Sequence, residues 1–282
     1  MEITKEQLDY VPADKELQQI EYGLLQQFAK VCEDHNLRYW LIGGTLLGAV
    51  RHGGFIPWDD DIDVGMPRND YEILLANSDR WFKNKYNLVY FNKTHDYIYA
   101  FAKLEDNDTE LIEHDYNHLS NRKSGVYIDI FPFDGMPSNS VYKFVWYCLL
   151  RLVNRLKYLM FCKTNIKEIK ITFKNILKIL IGSICQKVFS RNKVLHFYNR
   201  LMQVHNFDNS DYVINFEGQW GIRELVSKSY FSSISEIKFN DCLFKTMGDY
   251  KDYLNCIYGD YMKLPPVEKR VTHHDFIWKK KG

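Results

Sequence analysis

The sequence predicts an α+β fold, a mixed sheet core with flanking helices and a helical, basic insertion. Three observations carry that expectation. Apolar residues Leu17, Ile20, Leu24, Leu25, Phe28 and Val31 recur at helical spacing over residues 14–35. Short runs rich in aromatic and β-branched residues follow, among them residues 38–42 (RYWLI) and 127–131 (YIDIF). Residues 141–202 then read as helical throughout, and residues 210–282 return to mixed structure.

In chain order, the helix over 14–35 ends near Asn36, and the strand over 38–42 runs into the turn Gly43-Gly44. Residues 45–51 form a short helix and GGFIPW a loop. Ile62 and Val64 alternate with Asp61 and Asp63, which predicts a second strand with its acids on one face. Residues 69–76 are helical, and β-like segments follow at 88–91 and 98–104. Residues 212–216 read as a strand, and a helix over 249–257 is stopped by Gly259 and then Pro265-Pro266. We divide the chain into a core over 1–140, the insertion over 141–205 and a segment over 206–282 that completes the same domain.

Hydrophobic residues make up 46% of the 282, enough for a sizeable core. The net charge of +1 hides an asymmetry. Residues 141–193 hold twelve Lys or Arg against one acid, Glu168, a net of +11 that leaves −10 for the rest. Lys163, Lys167, Lys170, Lys174 and Lys178 recur beside an apolar stripe of Ile166, Ile169, Phe173, Ile176, Leu177 and Leu180. That pattern suits peripheral contact with an anionic membrane, or a core-packing helix with a cationic outer face. No nucleic-acid-binding motif accompanies the charge, so nucleic acid is not expected as a partner. The start MEITKEQLDY lacks a basic stretch followed by an apolar run, and no run nears the ~18 apolar residues of a membrane span. Six cysteines without repeated spacing read as reduced, mostly buried thiols, so a cytoplasmic location is expected.

The stretch GGTLLGAVRHGGFIPWDDDID, residues 43–63, sets Asp59, Asp60, Asp61 and Asp63 within five positions. It is not a P-loop, because Ala49 stands where the phosphate-binding lysine belongs. It is not an EF-hand, because Val64 stands where the loop needs glycine. Two readings remain, a solvated acidic loop or a cation site. Interleaved Ile62 and Val64, Trp58 ahead of the run and the upstream glycine pair favour the cation site. Carboxylates at Asp61 and Asp63 suit Mg²⁺, with Mn²⁺ as a substitute, bridging a nucleotide's phosphates. Asp129, flanked by Ile128 and Ile130, is the natural third ligand, because an aspartate in so apolar a strand needs a partner.

The segment YWLIGGTLLGAVRHGGFIPWDDDIDVGMPRNDYEILL, residues 39–75, resembles the signature of the LicD family of phosphotransferases, which sits in the nucleotidyltransferase-fold superfamily with fukutin-like relatives. Ala102-Lys103-Leu104 with Asp106 and Thr109, the phrase IDIFPFDG over 128–135 and YGDYMKLPP over 258–266 also match. The resemblance is close over residues 20–140 and looser over 210–275, and it covers the basic middle poorly. It implies a nucleotidyltransferase-like core and transfer of phosphocholine, or a related phospho-group, from a CDP-activated donor to a glycan hydroxyl, with release of CMP. Lipopolysaccharide, teichoic acid and capsule precursors are the implied acceptors, often lipid-linked. The rivals are a CDP-alditol donor and a non-catalytic glycan-binding scaffold.

On the resemblance, Asp61, Asp63 and Asp129 are the catalytic metal ligands, and Asp129 also helps take the acceptor's proton. Gly43, Gly44 and Thr45 let backbone amides approach the donor phosphates. Arg51 contacts a phosphate or is an exposed surface arginine; Lys103 contacts a phosphate or forms a structural salt bridge. Asp59 supports the site from behind or acts as a neighbouring base, while Asp60 is expected to be solvated. Arg270, with His273 and His274, binds donor or acceptor or belongs to a solvated basic tail. His114 and His118 read as surface residues. Trp40, Trp58, Trp220 and Tyr258 are candidates for an aromatic cage around a choline head group, or packing groups.

Overall fold

The structure is a computed structural model and describes residues 12–94, 97–113, 123–161, 190–272 and 276–282. Helix α1 (Lys15–Asp34) opens on Asp14, whose carboxylate accepts from the amides of Glu16 and Leu17 at 2.9 and 3.4 Å. The apolar stripe of α1 is buried against the sheet, with Leu24, Leu25 and Phe28 fully enclosed. Strand β1 (Trp40–Leu41) leads directly into α2 (Gly43–His52), which ends on Gly53 in the left-handed conformation. Strand β2 (Asp63–Pro67) then feeds α3 (Arg68–Trp81).

Strands β3 (Tyr86–Val89), β4 (Ala102–Asp106), β5 (Thr109–Glu113) and the long β6 (Tyr127–Met136) follow. Next come α4 (Ser140–Phe161), α5 (Arg191–Met202), β7 (Tyr212–Ile214) and β8 (Leu225–Ser227). Strands β9 (Ile234–Phe239) and β10 (Cys242–Met247), α6 (Tyr250–Tyr258) and β11 (Phe276–Lys280) close the chain.

The main sheet runs β1-β2-β6-β4-β3, and β7 joins the far end of β6 and carries β8. Strand β2 pairs with β6 in parallel, while the other neighbours are antiparallel, so the sheet is mixed. Two antiparallel pairs, β9 with β10 and β5 with β11, stand outside it. The register matters most. Asp63 lies opposite Asp129, and Asp129 lies opposite Lys103 on the other side. Residues directly opposite share a face of the sheet, so one row across β2, β6 and β4 carries two carboxylates and an ammonium.

The main core gathers α1, α2, α3, the sheet and α6. A second cluster packs Leu150 and Val153 of α4 against Leu195, Tyr198 and Met202 of α5, with Ile214 and Phe216 beside them. At the junction Arg68 forks onto Asp134, Nε and Nη2 lying 2.8 and 2.6 Å from the two carboxylate oxygens. Both side chains are buried.

The mixed α and β content agrees with expectation, and several details differ. Asp60 is buried, not solvated, because the loop that carries it is folded under α1. The Pro57 carbonyl accepts from the Ala13 amide at 3.0 Å, and the Asp59 carbonyl accepts from Gln18 Nε2 at 2.8 Å. The strand after the acidic run begins at Asp63, so Asp61 sits just ahead of it. The predicted strand over 98–104 begins only at Ala102, and β9 with β10 was not anticipated. Of the four described cysteines only Cys32 is buried; Cys148 and Cys256 are exposed. The lysine stripe over 163–178, and His114, His118, His273 and His274, lie outside the described residues. Among the described residues no helix is long and apolar enough to cross a membrane.

Candidate active site

The acidic run is placed by a strand-to-helix turn. Ile42, just past β1, is extended and caps α2, which Gly43 enters with φ of 54°. A Cβ on Gly43 would lie 3.0 Å from Asp63 Oδ2, and one on Gly44 would lie 2.6 Å from Asp59 Oδ2. The glycine pair thus lets two of the protein's own carboxylates press against the N-terminus of a helix, where unpaired amides and the helix dipole favour negative charge. Thr45 is buried and turns its Oγ1 to the Asp63 amide, accepting at 2.8 Å, which fixes the start of β2.

Asp61, Asp63 and Asp129 line one pocket together with Lys103. Lys103 is buried, with Nζ 3.0 Å from Asp129 Oδ1 and 3.3 Å from the centre of the Tyr127 ring. Its structural ion pair is therefore present, and the same ammonium faces the pocket. Asp59 is buried beside Asp61 and shares a side-chain hydrogen bond with it. Burial, followed by the like charges of Asp61, Asp129, Asp59 and Glu224, pushes Asp63 well above the usual carboxylate range. Asp59 is raised too, by burial and then by Asp61 and Asp60. Glu21 of α1 is buried and raised, by burial first and then by the acidic run.

Carboxylates gathered this closely repel one another. Carboxylate oxygens are the donors a hard divalent ion prefers. Among the described residues no three His, Cys, Asp or Glu side chains converge closely enough to hold an ion by themselves. An ion bound here would take one or two carboxylates and complete its shell with substrate phosphates and water.

A second pocket meets the first. Asp61, Asp63, Gln219 and Trp220 line both. The second holds Arg51, Lys263 and Lys269 as well as Trp58, Asp59 and Asp260, so it carries more cations than the first, beside acids of its own. Arg51 is half-buried and donates from Nη1 to the Tyr261 carbonyl at 3.1 Å, so it is not an exposed surface residue. Arg270 is half-buried, its guanidinium carbon 5.9 Å from the centre of the Trp58 ring and its Nε donating to the Pro265 carbonyl at 2.9 Å. Trp40 belongs to the core, against Phe207 and Phe231. Trp220 and Tyr258 meet edge to face at 5.0 Å on the pocket walls.

Sequence reasoning missed Glu217 and Glu224, both buried on the wall of the first pocket. It also missed Lys157 of α4, fully buried with Nζ 3.0 Å from both oxygens of Glu217. The one available signal was the phrase NFEGQW, an acid and a glycine just past a predicted strand.

Comparison with known proteins gives the relatives of this chain. The LicD/FKTN/FKRP nucleotidyltransferase domain matches residues 36–167. The lipopolysaccharide cholinephosphotransferase LicD of Haemophilus influenzae is 31% identical over 265 residues, covering 92% of this chain and 95% of its own. Human ribitol 5-phosphate transferase FKRP is 58% identical over 40 residues, 14% of this chain and 8% of its own. An uncharacterized protein of Rickettsia typhi, RT0683, is 38% identical over 73 residues, 24% of each chain.

Proposed function

Because this chain belongs to the LicD family, we propose that it transfers phosphocholine, or a related phospho-group, from a CDP-activated donor to a hydroxyl of a cell-surface glycan. The core is then a nucleotidyltransferase-like fold, and the acceptor is a lipopolysaccharide, teichoic acid or capsule precursor. The acceptor oxygen bonds to the phosphorus that carries the head group, the anhydride bond to CMP breaks, and the hydroxyl proton is given up. The observation that carries this reading is the row of Asp63, Asp129 and Lys103 across three strands, with Asp61 beside it in the same pocket.

Phosphoryl transfer needs positioning and charge neutralisation more than covalent assistance. Asp61, Asp63 and Asp129 do not close an ion site by themselves, so one or two of them would hold Mg²⁺ together with the donor's phosphates, whose charge the ion would neutralise. Lys103 orients Asp129 and presents its ammonium to the same pocket. Arg51, Lys263 and Lys269 supply cations for the nucleotide phosphates on the far side of the acids. Thr45 and the glycine pair hold Asp63 and Asp59 in place. Asp129, by family resemblance, receives the acceptor's proton.

The enzyme works at the cytoplasmic face of a membrane. Helix α4 supports this, because it turns Val141, Phe144, Val145 and Leu152 outward beside Lys143 and Arg155.

A CMP-release assay over a panel of CDP donors, with and without Mg²⁺, tests the reading. Release from one donor only in the presence of Mg²⁺, and its abolition in Asp61→Asn with the fold intact, are expected. No release from any donor would remove the transferase reading. An unchanged rate in Asp61→Asn would remove that residue from the mechanism.

A further inference from the structure

The two pockets that meet at the acids differ in chemistry. The outer one sets three cations, Arg51, Lys263 and Lys269, against Asp59 and Asp260. The inner one is lined by Asp61, Asp63, Asp129, Glu217 and Glu224, and Lys103 is the single cation among its described lining residues. Its remaining wall is largely aromatic, with Tyr99, Phe101, Phe131, Tyr158 and Trp220. Rings of this pocket already accept ammonium groups, Tyr158 that of Lys157, whose Nζ lies 4.5 Å from the ring centre, and three others that of Lys103. Lys103 Nζ lies 3.3, 5.1 and 5.6 Å from the ring centres of Tyr127, Tyr99 and Phe101.

The five carboxylates are not equivalent. Asp129 is paired with Lys103, and Glu217 with Lys157. Asp61 and Asp63 face both pockets. Glu224 meets no Lys or Arg among the described residues. The adjacent Arg223 turns away, donating from Nη1 to the Ile257 carbonyl at 3.2 Å. The chain is nonetheless built around the Glu224 carboxyl. Its Oε1 accepts from the Trp220 amide at 3.4 Å, and a Cβ on Gly218 would lie 2.3 Å from it. Glu224 is only 4% exposed, and burial pushes it up to about 7. A buried carboxyl without a counter-ion, on an aromatic wall, gains from an organic cation more than from a neutral polyol.

We propose that Glu224, Tyr158 and Trp220 form the subsite for a quaternary-ammonium head group of the donor, and that this subsite decides which donor is used. The assignment rests on the transfer reading above, with the nucleotide in the outer pocket and the head group in the inner one. It gives the basic helical segment a part in specificity, since Tyr158 belongs to α4.

Calorimetric titration of the full chain with CDP-choline, CDP-glycerol and CDP, in Mg²⁺, tests this. Glu224→Gln keeps the oxygen that accepts from Trp220, and Tyr158→Phe keeps the ring that Tyr158→Leu removes. Wild type should bind CDP-choline more tightly than CDP-glycerol. Glu224→Gln and Tyr158→Leu should each lose about tenfold for CDP-choline, Tyr158→Phe should lose little, and CDP should stay within about twofold throughout. Equal losses for CDP and CDP-choline, or no loss for CDP-choline, would overturn the subsite. Binding and turnover separate the two readings. Head-group-dependent binding without CMP release would sink the transfer reading and leave the subsite standing. CMP release from CDP-glycerol, with CDP-choline bound no better than CDP, would sink the subsite and leave phospho-group transfer standing.

Discussion

Lys157→Met isolates the link between α4 and the pocket. Lys157 and Glu217 are 0% and 1% exposed, and Nζ lies 3.0 Å from each carboxylate oxygen. Methionine fills nearly the same space without the charge, so little of the cost comes from a cavity. The Glu217 carboxylate would be left with neutral partners, the Ala100 amide at 3.4 Å and the Tyr198 hydroxyl. Removing one partner of a buried ion pair costs about 3–5 kcal/mol, because the other charge stays desolvated. Glu217→Gln added to Lys157→Met removes that stranded charge, so the double variant should recover at least about 2 kcal/mol. Urea unfolding at constant slope measures all three variants. Single effects that add to within about 0.5 kcal/mol would show that the two groups are not coupled, and the described anchoring of α4 would be wrong.

Three further outcomes are expected. Glu224 is raised from 4.5 to about 7, so its protonated form stabilises the fold; that contribution is complete below pH 4.5 and is lost as pH rises through about 7. Glu224→Gln stays neutral, so its stability relative to wild type should grow by about 2 kcal/mol between pH 5 and pH 8; a pH-independent difference in urea midpoints would refute this. Mg²⁺ at ten times its Kd should stabilise wild type by about 1.4 kcal/mol in thermal unfolding, and Asp63→Asn should lose that response, whereas an equal Mg²⁺ shift in both would place the ion elsewhere. Gly44→Ala should keep the fold and cut CMP release at least about tenfold, because its Cβ would displace the Asp59 carboxylate, 2.6 Å away; unchanged release would mean that Asp59 has room to move without effect.

Much of the site was legible because local rules fixed it. A glycine pair between a strand and a helix, followed by acids interleaved with Ile62 and Val64, has few foldings that satisfy both burial and charge. Asp129 could be singled out because an acid inside YIDIF must meet a partner. The fate of Asp60 was not legible. It depends on α1 folding over the loop through Ala13 and Gln18, a contact across more than forty residues. Strands β9 and β10 were missed because their pairing partner, rather than their own pattern, makes them strands.

Local sequence pattern therefore determined most of the α and β elements, the acidic cluster and the family to which the chain belongs. Only the tertiary structure decided that Lys103 would stand opposite Asp129, that Lys157 would reach Glu217, and that the walls on either side of the acids would differ in charge. The reason is physical. Register and helix docking are set by which buried faces fit together, so charges far apart in the chain meet only after the core has closed.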